Sequence, residues 1–421
     1  MADKLGWVED KLRQLREAYH IEFRGFLTNH ASHGVAVLAA MFPDNPAAVD
    51  AYLATYVRRL ESAGGPIEQG QVAHIGDELE KLWVPGSAGS LCGGLDNDAK
   101  IFAPGVPFNA ASEAMTGVLA RHGLADTVFT CLAAVVDGIH SAAFHPLIQL
   151  GLALDIDSRG MIAEALAYNL GAHDKLLPEG TTPELEKAPV ASPEPLALAE
   201  TVRQLASVLE APGEDAGGFQ DRVRALRLQP RDAAALAGIH KWFRDAAGAW
   251  GASLGGIAML LVDTALVLYH ATHHEFFVLH AVTSAHALRA LVELAERDEA
   301  GPDRTELLVN AAAGWFTAAV AVVSVEAPRW NATRVAELSG ASSSGDALGQ
   351  LEELVGAMTA AGAAPDEHAL KLVYVVWRAR GAAADGCSLL SQGAREAVAC
   401  DLAQATARSF RSTAGRRSTW C

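Results

Sequence analysis

The stretch FFVLHAVTSAHALRALVELAE, residues 276–296, decides the fold class of this chain. It contains no proline or glycine, and its apolar residues recur at helical spacing. Similar patterns occur at Val8–Tyr19, Met161–Leu170 and Arg304–Val323. Sustained alternation of polar and apolar residues, which would indicate strands, is nearly absent. The sequence therefore predicts an all-α fold, a multi-helix, bundle-like architecture around a central buried pocket.

Prolines and glycines divide the 421-residue chain. Residues 177–195 hold five prolines and little apolar periodicity, so they are the best candidate for a linker. We predict an N-terminal helical lobe over residues 1–176, this proline-rich linker, a C-terminal helical lobe over 196–410 and a frayed tail over 411–421. Because the candidate site residues come from both lobes, we expect the lobes to form one functional domain.

The composition is globular and acidic. Half of the residues are apolar, 20% are charged and the net charge is −17. An acidic surface repels phosphate backbones and anionic lipid, so nucleic acid and membranes are poor candidate partners. Two apolar stretches, Leu254–His270 and Ala311–Val325, could suggest membrane spans. Asp263 interrupts the first, and the second is shorter than the ~20 residues that a span needs, so both are predicted to be core helices.

The cysteines indicate a reducing compartment. There are five, scattered along the chain with no CxxC pair, which argues against a disulfide framework or a zinc ribbon. The N-terminal residues MADKLGWVEDKL have no apolar core of a signal peptide. We therefore predict a cytoplasmic protein.

Histidines in apolar helical segments are the candidate metal ligands. They are His30, His33, His145, His280, His286 and His368. A single histidine in such a segment is more often a hydrogen-bonded core residue than a ligand. Several of them in separate helices of one chain favour a shared metal site, because a metal satisfies one ring nitrogen of each.

Helix geometry narrows the choice of ligands. His30 and His33 lie about 60° apart around a helix and share a face. His280 and His286 lie about 120° apart and cannot easily both reach one ion. His280 is the preferred ligand, and His286 is predicted to lie behind the ligands or to face substrate.

Lys371 is the most informative single residue, because it lies in the apolar segment LKLVYVVW. A buried ammonium is costly unless it is paired or neutralised. One interpretation is an ion pair with an acid such as Glu367. The other is chemical: a neutral lysine amine takes up CO₂, and the resulting anionic carbamate binds a metal through oxygen.

Other catalytic motifs are broken or missing. His274-Glu275 begins an HExxH pattern, but Val278 stands where its second histidine would be. A di-iron bundle needs two Glu-x-x-His helices, and we find one such spacing, at Glu17–His20. No GxGxxG opens a βα unit, and neither GxxxxGK[ST] nor GxSxG is present.

Five segments, in order along the chain, resemble the questin oxidase family of non-haem iron oxygenases of aromatic polyketides. They are IEFRGFLTNHASHGVAVLAAM, AAFHPLIQLGLALD, AEALAY, FVLHAVTSAHAL and HALKLVYVVWRA. The resemblance implies a mononuclear iron held by four histidines and an N-carboxylated lysine. Carried over motif by motif, the ligands are His33, His145, His280, His368 and Lys371. His30 remains the competitor of His33, and Gln149 departs from the histidine expected in FHxLIHLG.

The resemblance also implies the chemistry. The expected protein is an oxidoreductase, a mono- or dioxygenase that uses Fe(II) and O₂ to oxidise or ring-cleave a polycyclic, anthraquinone-like substrate. Whether it also needs an external reductant, such as NADPH, stays open. His286, Phe144, Tyr374 and Trp377 are candidates to line the substrate pocket. The alternatives are a zinc hydrolase with the same ligands and a metal-free helical scaffold or ligand-binding protein.

Overall fold

The computed structural model describes residues 6–23, 27–60, 69–83, 108–178, 180–185, 188–190, 192–299, 301–340, 349, 366–380 and 389–398. Nearly all of the regular secondary structure among these residues is helical, which confirms the predicted all-α class. The only sheet among them is an antiparallel pair of two-residue strands, β1 (Glu22–Phe23) and β2 (Leu27–Thr28). The predicted tail, 411–421, lies outside the described residues.

The helices fall on both sides of the proline-rich segment. Before it lie α1 (Gly6–Ala18), α2 (Ala31–Met41), α3 (Pro46–Tyr56), α4 (Gln69–Glu80), α5 (Phe108–His122), α6 (Leu124–Val135), α7 (His145–Asp155) and α8 (Arg159–Ala172). After it lie α9 (Pro195–Ala206), α10 (Phe219–Leu228), α11 (Pro230–Trp250), α12 (Leu254–Ala271), α13 (Phe276–Arg297), α14 (Pro302–Glu326), α15 (Ala332–Gly340) and α16 (Glu367–Arg378). Short 3₁₀ turns connect several of them, and residues 392–398 are also helical.

Capping side chains fix where two of the site-bearing helices begin. The Glu275 carboxylate accepts a hydrogen bond from the Val278 N–H at 2.8 Å, which starts α13. The Asp366 carboxylate accepts from the backbone N–H groups of His368 and Ala369 at 2.8 and 3.1 Å, which starts α16. An acceptor at this position satisfies N–H groups that have no partner within the helix.

One hydrophobic core joins helices from both sides of the proline-rich segment. At its centre α7 packs against α13, and Gly151 allows the two backbones to approach closely. A Cβ added at Gly151 would lie 2.5 Å from both Cα and Cβ of Ala287. The described part of the proline-rich segment contacts α11, where Trp242 donates from Nε1 to the Pro189 carbonyl at 3.1 Å. The helices carrying His145 and His280 are thus direct neighbours.

Three helices are long and apolar enough to cross a membrane by length and composition, namely α12, α13 and α14. Within the protein, 89%, 83% and 83% of their most apolar windows are buried. The two apolar stretches that the sequence analysis assigned to core helices lie in α12 and α14, and both are surrounded by protein. Asp263 in α12 is also fully buried and forms an ion pair with Arg395 at 2.7 Å.

Candidate metal centre

The N-terminal ends of four helices converge on a cluster of histidines. His30 precedes α2 and His33 is its third residue, while His145 is the first residue of α7. His280 is the fifth residue of α13. In α16, His368 is the second residue and Lys371 the fifth. The structure therefore brings together all five residues carried over from the family motifs, and His30 with them.

The rings of the cluster lie within contact distance of one another. The His30 ring centroid is 5.1 Å from His33, 4.8 Å from His145 and 4.9 Å from His368. The His280 ring is 4.7 Å from His145 and 5.5 Å from His368. Hereafter the histidine cluster denotes these five rings together with Lys371.

The cluster is buried at one end and reaches the surface at the other. His33, His280 and Lys371 are at most 1% exposed. The side chain of His368 is 15% exposed, the largest fraction among the residues of the cluster. Access to the cluster from solvent is therefore on the His368 side.

Backbone carbonyls set the tautomers of two of the rings. His145 Nδ1 lies 2.5 Å from the Ala142 carbonyl oxygen, and His280 Nδ1 lies 3.0 Å from that of Phe276. Because a carbonyl only accepts, each Nδ1 carries the proton and donates it. Each Nε2 then presents a lone pair, and the two Nε2 atoms lie 3.2 Å apart.

Two lone pairs that face each other repel, and a cation bound by both removes that conflict. A separation of 3.2 Å is close to that of two nitrogens bound about 2.1 Å from one metal ion at a right angle. Further donors without a well-formed hydrogen bond in the described structure are His30 Nε2, both ring nitrogens of His33, His368 Nε2 and Lys371 Nζ. The Gln149 side chain lies close enough to His33 to act against the lowering of its pKa. Buried polar atoms are rarely left unpaired, so these donors fit a site for a transition-metal ion.

Burial keeps most of the imidazoles uncharged. It lowers the pKa values of His30, His33, His145 and His280 well below 6.5, and the neighbouring Lys371 lowers them further. The neutral imidazole is the form that binds metals.

Lys371 lacks the ion pair that would explain it structurally. Its Nζ has no hydrogen-bond partner among the described residues. Burial lowers the pKa of Lys371 to about 8, although Glu367 and Asp366 act to raise it. A neutral amine, the form that reacts with CO₂, is therefore accessible near neutral pH.

Glu367 is a site residue that the sequence analysis treated only as a partner for Lys371. Its carboxylate pairs instead with Arg59 at 3.0 Å and lies 3.8 Å from His30 Nδ1. His30, Glu367 and His368 can each offer a ligand atom within 4.8 Å of the others. The one signal in the sequence was its position directly before His368.

Two tyrosine hydroxyls hold the backbone of His30 in place. Its backbone N–H donates to Tyr56 Oη at 2.8 Å, and its carbonyl accepts from Tyr52 Oη at 3.1 Å. Gly34 makes room for this, since a Cβ there would lie 2.3 Å from the Tyr52 ring. Both His30 and His33 belong to the cluster, and the choice between them as ligand stays open.

A strained turn delivers His145 to the cluster. Ala142, Ala143 and Phe144 have φ values of 47°, 53° and 65°, in the left-handed region that L-residues rarely adopt. Such residues cost of order 1–3 kcal/mol each and persist where the surroundings hold them. The turn places the Ala142 carbonyl against His145 Nδ1. Phe144 itself is fully buried, with no ring contact to the cluster in the described structure.

The remaining predicted pocket residues lie elsewhere. His286 Nε2 is 2.6 Å from an Asp155 carboxylate oxygen. Tyr374 Oη and Arg378 Nη2 also donate to Asp155, at 2.9 and 2.8 Å. We call these four residues the Asp155 network. Trp377 stacks on Tyr374 with ring centroids 5.7 Å apart.

An aromatic residue that sequence reasoning missed lies at the edge of the cluster. The Phe276 ring centroid is 4.9 Å from His280 and 4.8 Å from His368. Half of Phe276 is exposed.

Fold and site together define an all-helical protein with a buried set of neutral nitrogen donors that fits a transition-metal ion. The sequence model of the questin oxidase-like family matches residues 117–376, and the chain belongs to this family. The match includes His145, His280, His368 and Lys371, whereas His30 and His33 precede it. No curated protein matches the chain. Family membership supports an oxygenase-type function on aromatic polyketides and implies an oxidoreductase.

Proposed function

We propose that this protein is a non-haem Fe(II)- and O₂-dependent oxygenase that oxidises or ring-cleaves a polycyclic, anthraquinone-like substrate. The observation that carries the proposal is the pair of Nε2 lone pairs of His145 and His280, 3.2 Å apart, beside further buried donors without partners. Family membership supports the oxygenase class.

The residues that would hold the iron are His33, His145, His280, His368 and the carbamate of Lys371, with His30 as the competitor of His33. Imidazoles are neutral donors, and an anionic oxygen ligand would offset part of the charge of the ion. The carbamate is our preferred source of that charge, and Glu367 is the alternative. Bound there, Fe(II) would supply the one-electron chemistry that reaction with O₂ requires.

The chain prepares this site in three ways. The carbonyls of Ala142 and Phe276 hold His145 and His280 in the tautomer that presents Nε2. Burial keeps the imidazoles neutral and excludes bulk water from the reacting groups. The exposed edge at His368 leaves one side open to a substrate.

Formation of the carbamate requires dissolved CO₂ as the co-reactant and no further catalyst. The neutral Lys371 amine attacks the carbon of CO₂: the N–C bond forms, the π bond of one C=O breaks with its electron pair going to that oxygen, and the nitrogen releases one proton to water. The product is an anion with two oxygens where an ammonium would otherwise stand. The lowered pKa of Lys371, about 8, makes the attacking form available.

The proposal also covers the partner of the protein, its location and its reductant. The partner is a small hydrophobic aromatic molecule rather than nucleic acid or membrane, in keeping with a net charge of −17. We propose a cytoplasmic location from the cysteine pattern. Insertion of one oxygen atom, with reduction of the other to water, consumes two electrons from a reductant such as NADPH, whereas ring cleavage that inserts both oxygen atoms consumes none. The ratio of reductant to O₂ consumed therefore distinguishes the two.

Metal analysis combined with oxygen uptake tests the proposal. Protein purified without oxygen should hold close to one iron per chain and consume O₂ when 1,8-dihydroxyanthraquinone is added. His280→Ala should lose both properties. The control His122→Ala, which removes a ring that stacks on Trp83 away from the cluster, should retain them. Zinc at full occupancy with no oxygen uptake would favour a hydrolase, and no bound metal would favour a scaffold.

A further inference from the structure

Phe276 is one of three large hydrophobic side chains exposed in the described structure, with Val190 and Leu228. Scattered exposed apolar residues are normal on protein surfaces, so exposure alone carries no argument. Phe276 differs from the other two in its place, because its ring contacts both His280 and His368. His368 is the residue at which the cluster reaches solvent.

The position of Phe276 is fixed by its backbone. It is the first residue of α13, directly after the capping residue Glu275. Its carbonyl accepts the hydrogen bond from His280 Nδ1, so the backbone that carries the ring also orients a proposed ligand. The backbone that carries the ring is therefore tied to the cluster by this hydrogen bond.

The neighbouring residue, Phe277, is packed differently from Phe276. Phe277 turns inward and stacks on Phe219, with ring centroids 4.1 Å apart and planes at 8°. Phe276 packs edge-on against its histidine neighbours, at 67° to His280 and 61° to His368. Half of its surface remains in water, although full burial of a phenylalanine side chain is worth roughly 1.5–3 kcal/mol.

We propose that Phe276 determines substrate specificity by stacking against one ring of a flat, multi-ring aromatic substrate and holding the adjacent ring beside His368 and His280. Aromatic rings attract one another at centroid distances of 4.5–7 Å, and larger flat ligands cover more of the exposed face. This inference rests on the proposed function and names the contact that selects polycyclic over single-ring substrates.

The test measures binding without turnover. Iron-loaded protein is titrated without oxygen with 1,8-dihydroxyanthraquinone and, separately, with 1,2-dihydroxybenzene, and iron content is measured in each variant. Phe276→Leu keeps the carbonyl and an apolar side chain but removes the ring. We expect its affinity for the three-ring probe to fall about three- to tenfold, as for the loss of one aromatic pair, with iron content unchanged. The single-ring affinity should change less, and Phe276→Trp should restore three-ring binding.

Leu228→Ala is the matched control, because Leu228 is 71% exposed and lies at the end of α10. It should bind the three-ring probe as the native protein does. Equal three-ring affinity in Phe276→Leu and native protein would overturn the inference while leaving the proposed function standing. Loss of iron in Phe276→Leu would overturn it too, since the ring would then support the metal site instead. If native protein holds iron but binds no three-ring probe, the proposed substrate class fails, and this inference fails with it.

Discussion

Two polar clusters join the same three helices, α7, α13 and α16, and they differ in completeness. At the N-terminal ends, several buried nitrogens of the histidine cluster have no partner in the part of the chain that the structure describes. Toward the C-terminal ends, Asp155 accepts hydrogen bonds from His286, Tyr374 and Arg378. Two nitrogens of the Asp155 network, His286 Nδ1 and Arg378 Nε, lack a hydrogen-bond partner in the described structure, against five nitrogens of the histidine cluster. The Asp155 network has an ionised acceptor at its centre, which suits a structural contact, whereas the larger unpaired set suits a binding site.

The electrostatics of the Asp155 network agree with a structural role. Burial raises the pKa of Asp155, but His286 and Arg378 outweigh that effect and hold it below its usual value. The carboxylate is therefore ionised and ties α16, the helix of His368 and Lys371, to α7 and α13. The two clusters should respond in opposite ways when one member is removed.

The largest change in stability is expected from Asp155→Ala. This substitution leaves Arg378 and His286 without their shared acceptor, and breaking a buried charged pair costs about 3–5 kcal/mol. We expect a loss near the lower end, because Arg378 keeps Glu293 at 3.0 Å. Denaturant unfolding of the metal-free protein measures it, with the exposed Asp245→Ala as a control expected to cost under about 1 kcal/mol. Equal stability of the two variants would show that the Asp155 network does not stabilise the packing of α16 against α7 and α13.

Gly151→Ala is expected to separate the two helices that hold His145 and His280. The new Cβ would lie 2.5 Å from the backbone of Ala287, so the helices must move apart, at a cost of about 1–3 kcal/mol. Iron affinity should fall as well. Gly248→Ala, in α11 with no atom within 4 Å of the new Cβ, should instead stabilise the protein by about 0.5–1 kcal/mol. Similar behaviour of both variants would contradict the close packing.

Glu164 is another buried carboxyl, and its hydrogen-bond partner in the described structure is the neutral side chain of Gln149, at 2.6 Å. Burial raises its pKa to about 7, against smaller opposing effects of Arg16 and Gln149. The folded protein thus holds this proton more tightly than the unfolded chain. The resulting stabilisation is complete below about pH 4.5 and is lost as pH rises through 7.

Glu164→Gln should therefore remove this pH dependence. At pH 8 the variant should be more stable than the native protein by roughly 1–3 kcal/mol, with little difference near pH 4.5. Unfolding at a series of pH values checks this, with the exposed Glu113→Gln as a control that should follow the native profile. A variant that parallels the native protein at every pH would show that Glu164 is not the group responsible.

The smallest change in stability is expected at Lys371, together with a large loss of metal. Because Lys371 Nζ has no hydrogen-bond partner among the described residues, Lys371→Met should leave the metal-free protein as stable as before or up to about 1 kcal/mol more stable. Iron should be mostly lost, and added bicarbonate should improve iron uptake only in the native protein. Iron content and melting temperature, each with and without bicarbonate, measure both effects. Full iron in the variant would remove the carbamate from the site.

The fold class was predictable because helical periodicity is a local property of the sequence. The members of the histidine cluster could also be proposed, since short motifs and helical spacing singled out His33, His280 and Lys371. The hydrogen-bond partners of the other buried polar residues could not be predicted. Asp155 lies 131 residues from His286 in the sequence, and nothing local signals their contact. The exposure of Phe276 and the left-handed turn before His145 likewise depend on tertiary packing.

The spread of the cluster along the chain has a kinetic consequence. Its donors run from His30 to Lys371, and no helix carries more than two of them. An ion cannot bring such distant segments together early in folding, because closing long loops costs conformational entropy before stabilising contacts have formed. The ion would therefore bind after the chain has folded and would stabilise the folded state. Removing it should leave the refolding rate unchanged and speed unfolding, as expected for interactions absent from the transition state.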